Sequence, residues 1–203
     1  MKKFLILGIL ACFIATNASA DDGHFRKKHQ AFSYSSMEMT GGDETLKSNF
    51  GFAFTSTRTY YLHKDPIAGF MKFGIDATWT DISYNNYSTT IYVEDEGLVD
   101  TQLHQAEIGL QAGLSLTFNP VDKLNIALYG RYAPTFSASY SAGDSSIYGG
   151  YMGYIVAGGR ISYRFIGVGC EYRSGSGEMN DFIEGGVSPL EMTGFRAYIS
   201  FSF

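Results

Sequence analysis

Seven charged side chains stand at alternate positions inside otherwise apolar or small-residue stretches: Asp76, Glu107, Arg131, Arg160, Glu171, Arg173 and Arg196. On one face of extended chains they would have to pair with one another or stay hydrated, because an unpaired buried charge costs several kcal/mol. Catalytic combinations are thin by comparison. General acid–base and nucleophilic chemistry usually sets a His beside Ser, Asp or Glu. Here His24 and His29 fall in an N-terminal stretch and His63 in a turn, while His104 sits among Gln102, Leu103, Gln105 and Ala106 and is expected as a solvated loop-base residue. The acidic groups Glu94, Asp95, Glu96, Asp100 and Glu178, Asp181, Glu184 offer oxygen ligands without the spacing of a calcium loop, so they read as solvated acidic loops. No catalytic residue, metal or cofactor is expected.

The chain has 203 residues, of which only 17% are charged, against roughly 25% in soluble domains; glycine and aromatics run high. Beyond the first sixteen residues no apolar run approaches the ~20 needed for a helical span. The acidic balance, with no basic run longer than Arg26, Lys27, Lys28, argues against nucleic acid. Lys2 and Lys3, the apolar stretch from Phe4 to Thr16, and the small residues Ala18, Ser19 and Ala20 form a cleavable signal peptide over residues 1–20. A competing lipoprotein reading, with Ile9, Leu10 and Ala11 before an acylated Cys12, leaves only about eight apolar residues ahead of the cysteine. Cleavage removes two lysines and leaves 183 residues with 13 basic and 20 acidic side chains, a formal charge of -7 against -5 for the full chain. Cys170 then remains as the one cysteine, so no intrachain disulfide can form.

The elements that must hold the charges are strands. Residues 70–82 place Met71, Phe73, Ile75, Ala77 and Trp79 opposite Lys72, Gly74, Asp76, Thr78 and Thr80, and residues 105–118 alternate almost without fault. Similar patterns begin at 124, 154, 168 and 195, each bounded by Gly, Pro, Asn, Asp or Ser. In residues 50–62, Arg58 is in phase with Phe50, Phe52 and Phe54, so either a bulge lies near Ser56 or Arg58 snorkels from a rim. Residues 31–39 cannot be phased, since Phe32 and Tyr34 disagree with Met37 and Met39. Eight strands result, with long connections expected at 40–49, 84–103, 139–152 and 175–189 and short ones between them. Ser88 to Val93 is expected to extend a hairpin above the membrane.

Soluble sandwiches alternate too, but their strands average about five or six residues, whereas a tilted membrane-crossing strand needs about 9 to 11. Six segments reach about nine, and the sorting of long and short connections is that of an outer-membrane barrel. Ile199, Phe201 and terminal Phe203 resemble the C-terminal assembly signal of bacterial outer-membrane proteins. Phe118, Phe165 and Phe203 would mark the periplasmic rim, and Trp79, Phe136 and Tyr172 the outer one. Residues 31–203 thus resemble a small eight-stranded antiparallel up-and-down transmembrane β-barrel of the OmpA-transmembrane or OmpX type, following a periplasmic tail over residues 21–30. The last strand ends at Phe203, so the peptidoglycan-binding domain that follows the barrel in OmpA is not expected.

The resemblance implies a Gram-negative outer membrane, contact with outer-membrane lipid and lipopolysaccharide, and recognition by the barrel-assembly machinery. The lumen of such a barrel is just wide enough for its own side chains to fill. Asp76 and Glu171 are expected to sit among Arg131, Arg160, Arg173 and Arg196, with Glu107 nearer the outer mouth. Read this way the network is a plug; read with four arginines outnumbering two carboxylates at mid-height, it is a narrow anion-preferring passage. The surroundings of His104 match neither the His-x-Ser pattern of lipid A deacylases nor the paired aspartates of omptin proteases. The expected function is non-enzymatic: envelope structure, or interaction with an extracellular protein through the outer loops.

Overall fold

The computed structural model describes residues 25–42, 44–93, 97–143, 146–183 and 185–203, so residues 1–20, expected as a signal peptide, lie outside the described residues. Eight strands follow one another: β1 (Lys28–Gly41), β2 (Glu44–Tyr61), β3 (Met71–Val93), β4 (Gly97–Val121), β5 (Leu124–Ser141), β6 (Ile147–Tyr163), β7 (Ile166–Asp181) and β8 (Gly186–Ser202). Each pairs antiparallel with its neighbours in sequence, and β1 pairs with β8, which closes the ring. Backbone bonds between Lys28 and Phe203 complete the closure at the rim that carries the chain termini. A closed ring leaves no edge, which is what lets a sheet cross a medium that cannot hydrogen-bond to it.

Burial is inverted relative to a water-soluble protein. The largest fully buried side chains are Arg173 and Arg196, while Leu114, Phe195, Trp79 and Ile155 stand 61–68% exposed on the outer wall. Leaving each such side chain in water would cost about 1.5–3 kcal/mol. A continuous belt of them, running through Phe52, Ile108, Leu128, Ile161 and Val168, is stable only against hydrocarbon. Cys170 lies exposed on that wall.

β1, which the sequence left unphased, runs without interruption: Ala31, Ser33, Ser35, Met37 and Met39 point inward, Tyr34 and Glu38 outward. Met37 and Met39 disagree with Phe32 and Tyr34 because the methionines belong to the lumen. β1 also starts at Lys28, with His29 and Gln30 buried, inside the stretch expected as tail. Arg58 is outward with Phe50, Phe52 and Tyr60, its guanidinium 5.2 Å from the centre of the Tyr60 ring, and β2 keeps one phase from Phe50 to Tyr60; its own bulge lies between Ser48 and Phe50. The irregularity foreseen near Ser56 lies in β3: Ser56 pairs with Thr80 and Thr57 with Thr78, while on the other side Thr78 faces Gln111 and Asp81 faces Gly109. The extra residue is accommodated by a bulge at Trp79 and Thr80.

The connections also differ from expectation. Much of the stretches expected as long loops is paired strand, so that β1 meets β2 across Gly41 and Glu44, and β3 and β4 stay paired out to Val93 and Gly97. Outside the membrane both faces of a strand are polar, so the alternation that marks it in the sequence fades while backbone pairing continues. At the terminal rim, β4 turns into β5 at Asp122–Lys123 and β6 into β7 at Arg164–Phe165, with Lys123 and Arg164 at positive φ as tight hairpins require. Trp79 is not at the outer rim: it shares a recess with Lys28, Arg58 and Phe203, toward the terminal end.

Candidate functional site: the lumen

Two ion-pair centres hold the middle of the bore. Arg131 of β5 donates from Nη2 (2.6 Å) and Nε (3.2 Å) to Asp76 Oδ2, whose other oxygen accepts from Thr59 Oγ1 at 2.7 Å. The second centre is Asp81, which accepts from Arg173 Nη1 and Arg196 Nη1, both at 2.8 Å, and from Gln111 Nε2 at 2.9 Å. Gln111 joins the centres, since its Oε1 also accepts from Arg131 Nη1 at 3.1 Å. All six charged or amide side chains are at most 8% exposed. Charge-assisted bonds of this kind are what offset the desolvation of buried ions.

Toward the terminal rim, Glu171 accepts from the Tyr129 hydroxyl at 3.0 Å and lies 3.6 Å from Arg196. Tyr198 contacts Tyr129 through its hydroxyl at 2.9 Å, and Arg131 stacks on the Tyr129 ring at 3.7 Å. Arg160 lies lower. It donates to His29 Nε2 at 3.1 Å, so His29 carries its proton on Nδ1, 3.1 Å from Ser202 Oγ. Toward the distal end, Glu107 accepts from Tyr154 at 2.5 Å and Ser83 at 3.0 Å, and Arg173 stacks on the Tyr154 ring at 4.6 Å. Beyond Glu107 an apolar layer spans the bore: Met37, Met39, Met152 and Met192 with Tyr87, flanked by Leu46, Leu103 and Leu190. Methionine suits this position because its unbranched, adaptable chain fills irregular gaps.

Small residues make room for these groups. Inward Gly113 lies beside Arg131, and a Cβ there would fall 2.0 Å from Gly130 O. Of the remaining space, one cavity of about 20 Å³ is bounded by His29, Arg131, Arg160 and Glu171 among others, room for about one water. Arg173 leaves Nε and Nη2 without a protein acceptor among the described residues, and its guanidinium rests against the Tyr154 ring.

Of the seven residues singled out by spacing, the structure brings Asp76 and Arg131 together, and Arg173, Arg196 and Glu171 into one neighbourhood; Glu107 lies nearer the distal end. Arg160 binds His29 instead of joining the carboxylates at mid-height. The residue that sequence reasoning missed is Asp81, the acceptor for two arginines. A strict period of two from Met71 points it at lipid, and only the bulge turns it inward. A signal was present: from Asp81 onward the polar positions become Asp81, Ser83 and Asn85 and the apolar ones Ile82 and Tyr84, the opposite parity to Met71–Trp79. With Asp81 counted, the lumen holds, among the described residues, Asp76, Asp81, Glu107 and Glu171 against Arg131, Arg160, Arg173 and Arg196, a formal charge of zero.

His104 is on β4, stacked on Tyr84 with its Nδ1 2.6 Å from the Tyr84 hydroxyl and 3.3 Å from Asn86 Nδ2. It is a packed outer-wall residue and not a solvated one. Among the described residues no group of three or more His, Cys, Asp or Glu converges as a metal site; residues 94–96 and 184, which belong to the acidic groups, lie outside them.

Ring closure, eight up-and-down strands and inside-out burial define a small transmembrane β-barrel. The chain is similar in structure to Neisserial surface protein A (13% identity, 87% of this chain and 97% of that one, TM-score 0.49). It is also similar to Ail, the attachment invasion locus protein of Yersinia pestis, in complex with the heparin analogue sucrose octasulfate (10%, 88% and 100%, 0.47), and to the outer membrane protease OmpT from Escherichia coli (9%, 88% and 94%, 0.44). No protein-family model and no curated protein sequence matches the chain.

Proposed function

We propose that this protein is a non-enzymatic integral barrel of a Gram-negative outer membrane whose lumen is closed and whose work is done at its surface. On this reading residues 1–20 direct export, the strand ending in Ile199, Phe201 and Phe203 is recognised by the barrel-assembly machinery, and the terminal rim is periplasmic. The distal hairpins then face lipopolysaccharide and the exterior, where they serve envelope structure or bind an extracellular protein. The observation that carries the reading is the filling of the bore: a charge-neutral network from Arg160 to Glu107, capped by a methionine layer. The alternative of an anion-preferring passage rested on four arginines over two carboxylates at mid-height; Asp81 adds a carboxylate at that level and Arg160 lies lower, against His29, which leaves three of each.

Planar-bilayer recording of the purified protein tests the proposal. The expected trace shows no steady conductance. A stable anion-selective current that collapses in an Arg131→Ala/Arg196→Ala variant would establish a channel and overturn the closed-lumen reading.

A further inference from the structure

We infer that the terminal rim carries a binding site for one anionic phospholipid, seated on the β1–β2–β3 side of the barrel. Two adjoining hollows carry the inference. The first, of about 430 Å³, is bounded by Lys27, Arg58, Lys64 and Lys72 together with Tyr60 and Leu62, and contains no carboxylate side chain. Its volume is in the range of small-ligand sites. The second, of about 200 Å³, is bounded by Trp79 and Phe203 and by the polar residues Lys28, His29, Gln30, Ser56 and Thr57. Arg58 borders both.

Two of the four cations of the first hollow are held in position. Lys72 Nζ donates to Lys64 O at 2.7 Å and sits over the Phe25 and Tyr61 rings, at 4.7 and 5.4 Å, while Arg58 rests on Tyr60. A phosphate diester there meets four cationic groups, two of them already oriented. The second hollow is polar on its inner side, at His29, Gln30 and Thr57, and opens on the outer wall between Trp79, which is 62% exposed, and the Phe203 ring, so that outer edge is where an acyl chain would lie. A polar anion alone uses only the first hollow; a lipid uses both. Exposed Leu62, Ile67 and Phe70 continue the apolar surface at the same rim, where headgroups meet hydrocarbon.

The inference rests on the barrel spanning a membrane, so heat-modifiable electrophoretic migration first establishes that each variant folds in detergent. Native mass spectrometry of the full barrel with dioleoylphosphatidylglycerol, dioleoylphosphatidylethanolamine or glycerol 3-phosphate then tests the site. Wild type is expected to retain one phosphatidylglycerol in strong preference to phosphatidylethanolamine, and excess glycerol 3-phosphate is expected not to displace it. An Arg58→Gln/Lys64→Gln/Lys72→Gln variant should lose about a hundredfold in affinity, at roughly fivefold per surface cation. A Lys123→Gln/Arg164→Gln variant, altered at the same rim but outside the hollows, should bind as wild type. Should the triple variant not fold, Lys64→Gln in the exposed turn carries the test, with an expected loss of roughly fivefold. Equal retention of both lipids by wild type, equal loss in the Lys123/Arg164 variant, or displacement by glycerol 3-phosphate would each overturn the site.

Discussion

At the scale of single residues, Asp81 organises the interior. It accepts from two arginines and a glutamine with almost no exposure to solvent. Asp81→Ala strands two buried guanidiniums and should destabilise the barrel by about 3–5 kcal/mol, measured by reversible urea unfolding from lipid vesicles. Replacing two carboxylates and two guanidiniums together, as Asp81→Leu/Glu171→Gln/Arg173→Met/Arg196→Leu, should restore most of that loss, because the lumen stays formally neutral and no Glu171 carboxylate is left without its partner Arg196. If the single variant were as stable as wild type, Asp81 would not be the keystone assigned to it. Asp76, Arg131, Arg173, Arg196 and Glu171 were legible from alternation alone. Asp81 was not, because a bulge reverses parity without an obvious break in composition. The methionine layer was not, because an apolar residue in a barrel strand reads by default as facing lipid.

At the scale of elements, the bulge in β3 is the device that brings Asp76 and Asp81, an odd number of residues apart, into the same lumen. Deleting Thr80 removes the extra residue, so Asp81 follows outward Trp79 and strict alternation keeps Asp81, Ser83 and Asn85 in the lumen; this variant is expected to fold with native mobility. Deleting Trp79 and Thr80 together places Asp81 directly after inward Thr78, sends Asp81, Ser83 and Asn85 into lipid, and is expected not to fold in detergent or lipid. Folding of the double deletion with native mobility would mean that the residue count at the bulge does not set which face Asp81 takes. The distal part of the β3–β4 hairpin makes the contrasting case. Past Ser88 and Gln102 its strands pair chiefly with each other, and its removal leaves the ring intact. Replacing residues 90–100 with a short Asn-Gly turn should change barrel stability by no more than about 0.5 kcal/mol while abolishing whatever surface interaction the hairpin mediates, read by an adhesion assay. The sequence announced this ribbon through Ser88–Val93, yet concealed the other hairpin extensions, whose two polar faces carry no period.

At the scale of the whole molecule, charge is sorted into three zones. The lumen is formally neutral. Outside it, Arg26, Lys27, Lys28, Arg58, Lys64 and Lys72 crowd the terminal rim, joined by Lys123 and Arg164 in the tight turns, against Asp65 and Asp122. Glu38, Glu44, Asp100, Glu178, Asp181 and Glu191 lie toward the distal end, where Lys47, 3.6 Å from Glu38, is the one described cation. Between the two ends runs the apolar wall, whose contact with lipid is the premise of the lumen, the hairpins and the rim site alike. Trp79 is the single tryptophan of the chain and stands on that wall, which makes it a built-in probe. Its fluorescence in vesicles containing acyl-brominated phospholipid is the most direct measurement. Strong quenching by the brominated chains together with protection from aqueous acrylamide is the predicted result; insensitivity to the bromines with full access to acrylamide would contradict a lipid-facing wall.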